Sequence, residues 1–189
     1  ITQILNDVAE SDLVMKELLM DKGFPLEFSE DVLKETAQLP LTISEDEIVK
    51  RKDVRNVLTF TIDPADAKDF DDAISFRKLK NGNYEIGVHI ADVSYYVTPN
   101  TALDREAYLK ATSVYLPDRV NPMLPEEISN VLCSLRPNED KLAFSVIFQI
   151  NEQAEVKQYW AGRTVIHSDR RYAYEEVQEI IETQKGDNA

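Results

Sequence analysis

Between two runs of residues suited to buried strands, the chain places five carboxylates within ten positions: Asp63, Asp66, Asp69, Asp71 and Asp72 in TFTIDPADAKDFDDA, residues 59–73. Like charges this close repel and raise one another's pKa, so such a cluster is either fully solvated or neutralised by a cation. A solvated acidic turn is the ordinary reading of a charge run, but the flanks argue against it. Residues 57–62 are β-branched and aromatic without a breaker, and Ala73 starts a second apolar run, so the acids occupy a short connection between two core elements. An all-oxygen donor set suits a hard divalent ion, and Mg²⁺ in particular is held by a few carboxylates, waters and a substrate phosphate. A calcium loop of the EF-hand type, counted from Asp69, needs glycine at Ile74 and glutamate at Lys80 and fails at both.

The surrounding pattern predicts the frame for this loop. Residues 57–62, 73–79 and 84–97 are β-like, and Asn81-Gly82 predicts a two-residue hairpin in which both central positions take φ > 0. The acids then sit at one end of a rigid sheet, where a metal site gains precision. Further strands are expected at 142–150 and 156–166. Helices are expected after the N-caps Ser11, Ser29 and Ser44, the first stopping at Gly23 and the third using Glu47 in a capping box. Another is expected over 101–113 with Leu103, Ala107, Tyr108 and Ala111 on one face, one from Pro125 through Leu135, and one over 174–183. Residues 115–122 form a proline-punctuated crossing. Clustered strands followed by mixed elements indicate an α+β fold: a mixed, largely antiparallel sheet with flanking helices over 51–189, preceded by a short helical lead-in over 1–50.

Three other groups stand out. His89 and Asp92 lie on the third strand, and an all-carboxylate site needs neither, so a core role for His89 is the simpler expectation. Arg170 and Arg171 could meet a phosphate, although paired arginines more often solvate a surface. The single cysteine, Cys133, excludes an intrachain disulfide and reads as a small buried apolar residue in a reducing compartment. With 43% apolar residues, no signal segment and no run of eighteen apolar residues, a soluble cytoplasmic protein without a membrane partner is expected.

Charge narrows the function classes. The formal net charge is −14; residues 1–50 hold 12 acids against 4 Lys or Arg, and residues 51–189 hold 23 against 17. A domain that grips nucleic acid unaided is normally basic. Either the partner is not a nucleic acid, or this is the catalytic portion of a protein whose basic modules lie elsewhere. The absence of Met before Ile1 and a C-terminus just after an apparent helix favour the second expectation.

The spacing of Asp63, Asp69, Asp71 and Asp72 in T-I-D-x-x-x-x-x-D-x-D-D-A resembles the catalytic signature of the ribonuclease II/ribonuclease R (RNB) family of 3′-to-5′ exoribonucleases. The similarity continues through VHIADVSYYV (88–97), LDREAYLKATSVYLPDRV (103–120), PMLPEEISN (122–130) and CSLRPNEDKLAFSV (133–146), and looks nearest to the ribonuclease R branch. The resemblance implies the N-terminal part of an RNB nuclease domain, with residues 1–50 joining it to an upstream RNA-binding domain. It implies that the four acids hold one or two Mg²⁺ ions, with Mn²⁺ a possible substitute, and that Asp66 is at most a supporting group. Tyr115 matches the family's aromatic residue that stacks near the 3′ end of bound RNA. Single-stranded RNA would be the partner of the full-length protein, degraded from its 3′ end to 5′ mononucleotides with no obligate protein partner, while this stretch alone would act weakly or not at all. Another Mg²⁺-dependent phosphoryl hydrolase and a catalytically silent scaffold are the rival readings.

Overall fold

Two turns and a buried polar seam set the architecture around the acids. The computed structural model describes residues 10–117 and 119–186. In chain order the elements are α1 (Glu10–Asp21), α2 (Glu30–Ala37), α3 (Glu45–Ile48), β1 (Lys52–Asp53), β2 (Thr59–Asp63), β3 (Asp72–Lys78), β4 (Tyr84–Ala91), α4 (Val93–Tyr96), α5 (Ala102–Lys110), β5 (Val114–Tyr115), β6 (Val120–Asn121), a π-helix (Glu127–Cys133), β7 (Asp140–Ile150), β8 (Val156–His167), β9 (Arg170–Ala173) and α6 (Tyr174–Thr183). They form two compact units: residues 10–39 with 97–126, and residues 40–96 with 127–186.

The second unit carries a seven-stranded sheet in the order β1-β8-β7-β4-β3-β2-β9. The run from β8 to β2 is antiparallel throughout, and β1 and β9 add to its edges in parallel. The fold is therefore α+β, with the mixed, largely antiparallel sheet and flanking helices that the sequence predicts. The β3–β4 hairpin forms where Asn81-Gly82 places it but closes differently. Gly82 alone takes a positive φ (85°), Gly82 N–H donates to Leu79 O, and Leu79 N–H donates to Asn83 O, leaving a three-residue loop. Such loops combine a turn with one left-handed residue, a role glycine fills without strain.

The third strand stops at Ala91 rather than Val97, and Asp92 is the reason. Its carboxylate accepts the Ser94 hydroxyl (2.6 Å) and lies 2.7 Å from Arg51 Nη1, so the chain turns into α4. The Arg51 guanidinium is fully buried, 2.7 Å from Glu47, directed at the carbonyls of Ala143 and Thr164, and stacked on Tyr95. Arg163 approaches the same Asp92 carboxylate at 3.5 Å. Ser44 caps α3 as expected, accepting from Glu47 N–H, but Glu47 answers Arg51 instead of closing the capping box. The helix expected from Pro125 is π-helical from Glu127 and ends at Cys133, a distinction that apolar periodicity does not carry. Cys133 is buried, and burial pushes its thiol up to about 12, consistent with an inert apolar role.

In the first unit, Ser29 caps α2 by accepting from Val32 N–H. Glu35 accepts the amides of Ala102 and Leu103 at 2.9 and 2.8 Å, which ties α2 to the start of α5 and holds the Glu35 carboxyl below its usual range. Thr101 caps α5 as expected, but the helix ends at Lys110 because Ala111 takes φ 61°. Tyr108 is 84% exposed instead of joining the buried face with Leu103 and Ala107. Ser11 lies inside α1 rather than at its cap; its side chain lies outside the described residues. The crossing at 115–122 contains the β5–β6 hairpin, closed by Leu116 N–H to Arg119 O; Asp118 lies outside the described residues. Among the described residues no helix is long and apolar enough to cross a membrane.

His89 belongs to the scaffold. Its Nδ1 and Nε2 meet the hydroxyls of Ser145 (2.6 Å) and Ser75 (2.9 Å), and Ser145 continues to Thr164 (2.6 Å), a polar seam across β3, β4, β7 and β8. Gly87 is needed beside it, since a Cβ there would lie 2.3 Å from Ser75 Oγ. Burial pushes the His89 pKa down to about 4, so the folded imidazole stays neutral while an unfolded one takes a proton near pH 6.5. Its contribution to stability is whole above pH 6.5 and falls by about 1.4 kcal/mol per pH unit as pH drops toward 4. The denaturation midpoint of the protein should therefore fall between pH 7 and pH 5 by more than that of His89→Gln. Equal slopes would show that the folded protein accommodates the imidazolium.

Candidate active site

The acids arise where two neighbouring strands part. The β2–β3 ladder contains only the pairs Thr59–Ser75 and Phe60–Ile74, and beyond them β2 pairs instead with β9, from Phe60–Arg170 to Asp63–Ala173. Asp63 is thus the last residue of β2 and Asp72 the first of β3, and residues 64–71 span the gap. The loop is held at defined points. Ala67 N–H closes a turn on Pro64 O, Ala91 N–H donates to Asp71 O, and the buried Phe70 anchors the middle. Ser134, just past the π-helix, accepts Phe70 N–H through its hydroxyl and donates to Lys68 O, both at 3.0 Å, while Leu135 N–H donates to Phe70 O. The loop that carries the acids is thereby fixed by its own turn, by the end of β4 and by Ser134 and Leu135.

The electrostatics show excess negative charge. Burial raises the Asp63 carboxyl above its usual range, Asp72 and Asp69 push it further, and the Arg171 guanidinium pulls it partly back. Asp63 is 8% exposed, and its Oδ2 and the Thr61 Oγ1 are both buried without a hydrogen-bond partner. Asp71 keeps solvent-facing surface, yet desolvation of its carboxyl, followed by the charges of Asp69, Asp72 and Asp63, raises it as well. The effects on Asp63 and Asp71 place the four expected acids in one electrostatic neighbourhood. Asp66 is exposed on the turn. Among the described residues no three His, Cys, Asp or Glu side chains already converge as an ion's ligands. A divalent cation nevertheless fits the donor chemistry: the side chains are oxygen donors, one buried carboxylate oxygen lacks a partner, and the repulsion is of the sign that a cation relieves.

The RNB domain matches residues 51–189, the span that contains the whole sheet and all four acids. The chain belongs to the RNB family. Ribonuclease R 1 of Lactococcus lactis is 45% identical over 181 residues, covering 96% of this chain and 22% of that protein. The structure of Mycoplasma genitalium RNase R in complex with ribose methylated single-stranded RNA superposes with a TM-score of 0.88 at 30% identity, covering all of this chain and 29% of that one. Yeast Ssd1, a pseudonuclease, shares the fold at a TM-score of 0.79 and 20% identity, covering 97% of this chain and 23% of that one. The chain thus spans about a quarter of the length of these proteins.

Tyr115 lies in the first unit, in β5, and is 72% exposed. A half-buried core aromatic, the ordinary expectation for a tyrosine, does not describe it. Arg171 departs from the surface role expected of it: it belongs to β9 and donates through Nη2 to Pro64 O (2.7 Å) and Ala65 O (2.6 Å). Sequence reasoning also missed β9 and Ser134. The alternation of Arg170 and Tyr172 with Arg171 and Ala173 was a strand signal, but four residues are too few to weigh; nothing local marks Ser134.

Because folding raises the Asp63 pKa, its charge opposes folding near neutral pH and ceases to do so as the pH falls and the group takes a proton. In excess chelator, Asp63→Asn should melt a few degrees above the wild type at pH 7, with the difference shrinking toward pH 4. A variant less stable than wild type at pH 7 would mean that the Asp63 charge is satisfied within the protein.

Proposed function

We propose that the complete protein carrying this chain hydrolyses single-stranded RNA from its 3′ end, releasing 5′ mononucleotides in an Mg²⁺-dependent reaction. The observation that carries the reading is the set of four acids in the family's spacing, one of which keeps a buried oxygen without a partner. Support for the substrate comes from the related Mycoplasma enzyme, whose structure holds single-stranded RNA. Asp63, Asp69, Asp71 and Asp72 are the residues that would hold Mg²⁺, or Mn²⁺ in its place. Bound there, a divalent ion supplies an activated water and offsets charge on the phosphate.

The chain's own residues perform the positioning. The ends of β2 and β3 fix Asp63 and Asp72, while Ser134, Leu135 and Ala91 fix the backbone of the segment between Lys68 and Asp71. The exposed Tyr115 ring offers a flat face on which any base can stack. At a net charge of −14, most phosphate contacts must come from elsewhere in the protein. On this reading residues 1–50 lead in from an upstream RNA-binding domain and the protein works in the cytoplasm. A silent scaffold is the second reading, favoured by the fold shared with the pseudonuclease Ssd1; the four acids in place count against it.

Asp71→Asn in the complete protein removes one charge and keeps the side chain's shape. It should lower single-turnover decay of a labelled RNA in Mg²⁺ by orders of magnitude and leave equilibrium RNA affinity within a few-fold. Near-wild-type decay would remove Asp71 from the assignment, and parallel loss of both would make its role one of substrate capture. Tyr115→Ala should weaken the stacking contact by about 1–3 kcal/mol and lengthen the shortest limit product more than it slows cleavage. An unchanged product ladder would return Tyr115 to an ordinary surface role.

A further inference from the structure

Arg171 touches the loop that separates Asp63 from the other three acids, and it does so from a strand more than a hundred residues away. Its Nη2 spends two hydrogens on consecutive carbonyls, Pro64 O at 2.7 Å and Ala65 O at 2.6 Å. Its guanidinium lies 5.2 Å from the centroid of the Phe70 ring, the residue between Asp69 and Asp71. The strand that bears it is registered by Thr61–Arg171 and Asp63–Ala173, so any shift of Arg171 along β2 would also shift its reach to the loop. Asp169 fixes that register at the other end, accepting Thr59 N–H at 2.8 Å and donating its own N–H to Thr59 O at 2.7 Å. One side chain therefore contacts the first turn of the acid loop and its buried anchor together.

Fold stability alone does not account for the residue. Its Nε is buried without a hydrogen-bond partner among the described residues, an arrangement that opposes folding. A methionine would cover the same apolar surface without that loss. What only a cationic donor head supplies here is the joint hold on the 64–65 carbonyls and the Phe70 face, beside a cluster of negative charge. We propose that Arg171 is a positioning residue of the acid cluster: it holds the 64–70 segment in the arrangement from which Asp63, Asp69, Asp71 and Asp72 act together. The inference rests on the reading of these acids as the cleavage site.

The test uses the complete protein with Arg171→Met, which keeps the stem and removes the donors, and Arg171→Lys, which keeps the charge on a different head. Amide hydrogen exchange without metal or RNA reads the loop through Ala67 N–H, bonded to Pro64 O, and Phe70 N–H, bonded to Ser134 Oγ. Exchange at both amides should accelerate at least about tenfold in Arg171→Met and by less in Arg171→Lys, while the amides of the β4–β7 ladder keep wild-type protection. Mn²⁺ affinity, followed by electron paramagnetic resonance, should weaken in the same order, and RNA decay should lose kcat with KM within a few-fold. If Arg171→Met does not fold, Arg171→Lys carries the test alone. Wild-type exchange at Ala67 and Phe70 would overturn the proposal, as would acceleration spread evenly over the sheet. The exchange result is independent of cleavage, so the proposal fails separately from the reading of the acids, which stands or falls with Asp71→Asn.

Discussion

Repulsion among carboxylates is the constraint around which this chain is arranged. Four acids whose charges raise the Asp63 and Asp71 carboxyls do not gather by choice; they stay together because their backbone is tied at points that the charges do not control. The ties come from the β2–β9 ladder, from Ser134 and Leu135 beyond the π-helix, and from Ala91 at the end of β4. Each tie is anchored in turn by packing further inside. Ala91 ends β4 because Asp92 is held by the buried Arg51, and β4 itself is registered to β3 and β7 by the Ser75–His89–Ser145–Thr164 seam.

The buried polar groups have a division of labour. The Arg51–Asp92 pair and the His89 seam satisfy most of their polar atoms within the protein, and groups buried in that way specify one register while adding little net stability. Asp63 is buried at the end of β2 in the same sheet, and its Oδ2 has no hydrogen-bond partner. That oxygen lies among the charges of Asp69 and Asp72, so the demand for positive charge concentrates at the acid loop.

Much of this was readable from residues. The acid loop between two strands, the hairpin at Gly82, the caps at Ser29, Ser44 and Thr101, and α6 over its full length all follow from local pattern, because each depends on neighbours within a few positions. What escaped depends on distant partners. Asp92 ends β4 through an arginine forty-one positions upstream, the π-helix differs from an α-helix by one residue in its hydrogen bonding, and β9 is too short to show a period. Arg171 looked like surface charge because its carbonyl partners are invisible without the parallel pairing of β9 to β2.

That parallel pairing also sets an order of events during synthesis. β2 can pair with β3 as soon as the hairpin region has left the ribosome, but β9 and the Arg171 contacts to Pro64 and Ala65 need chain 107 and 106 residues further on. At about 5–20 residues per second that is a delay of roughly 5–20 s, long compared with the formation of a hairpin. During that interval the nascent chain carries all the acids but not the strand that braces their loop. The acid loop is therefore braced late, after most of the sheet has emerged, and a chain arrested before β9 would carry its carboxylates in a loop without the Arg171 contacts.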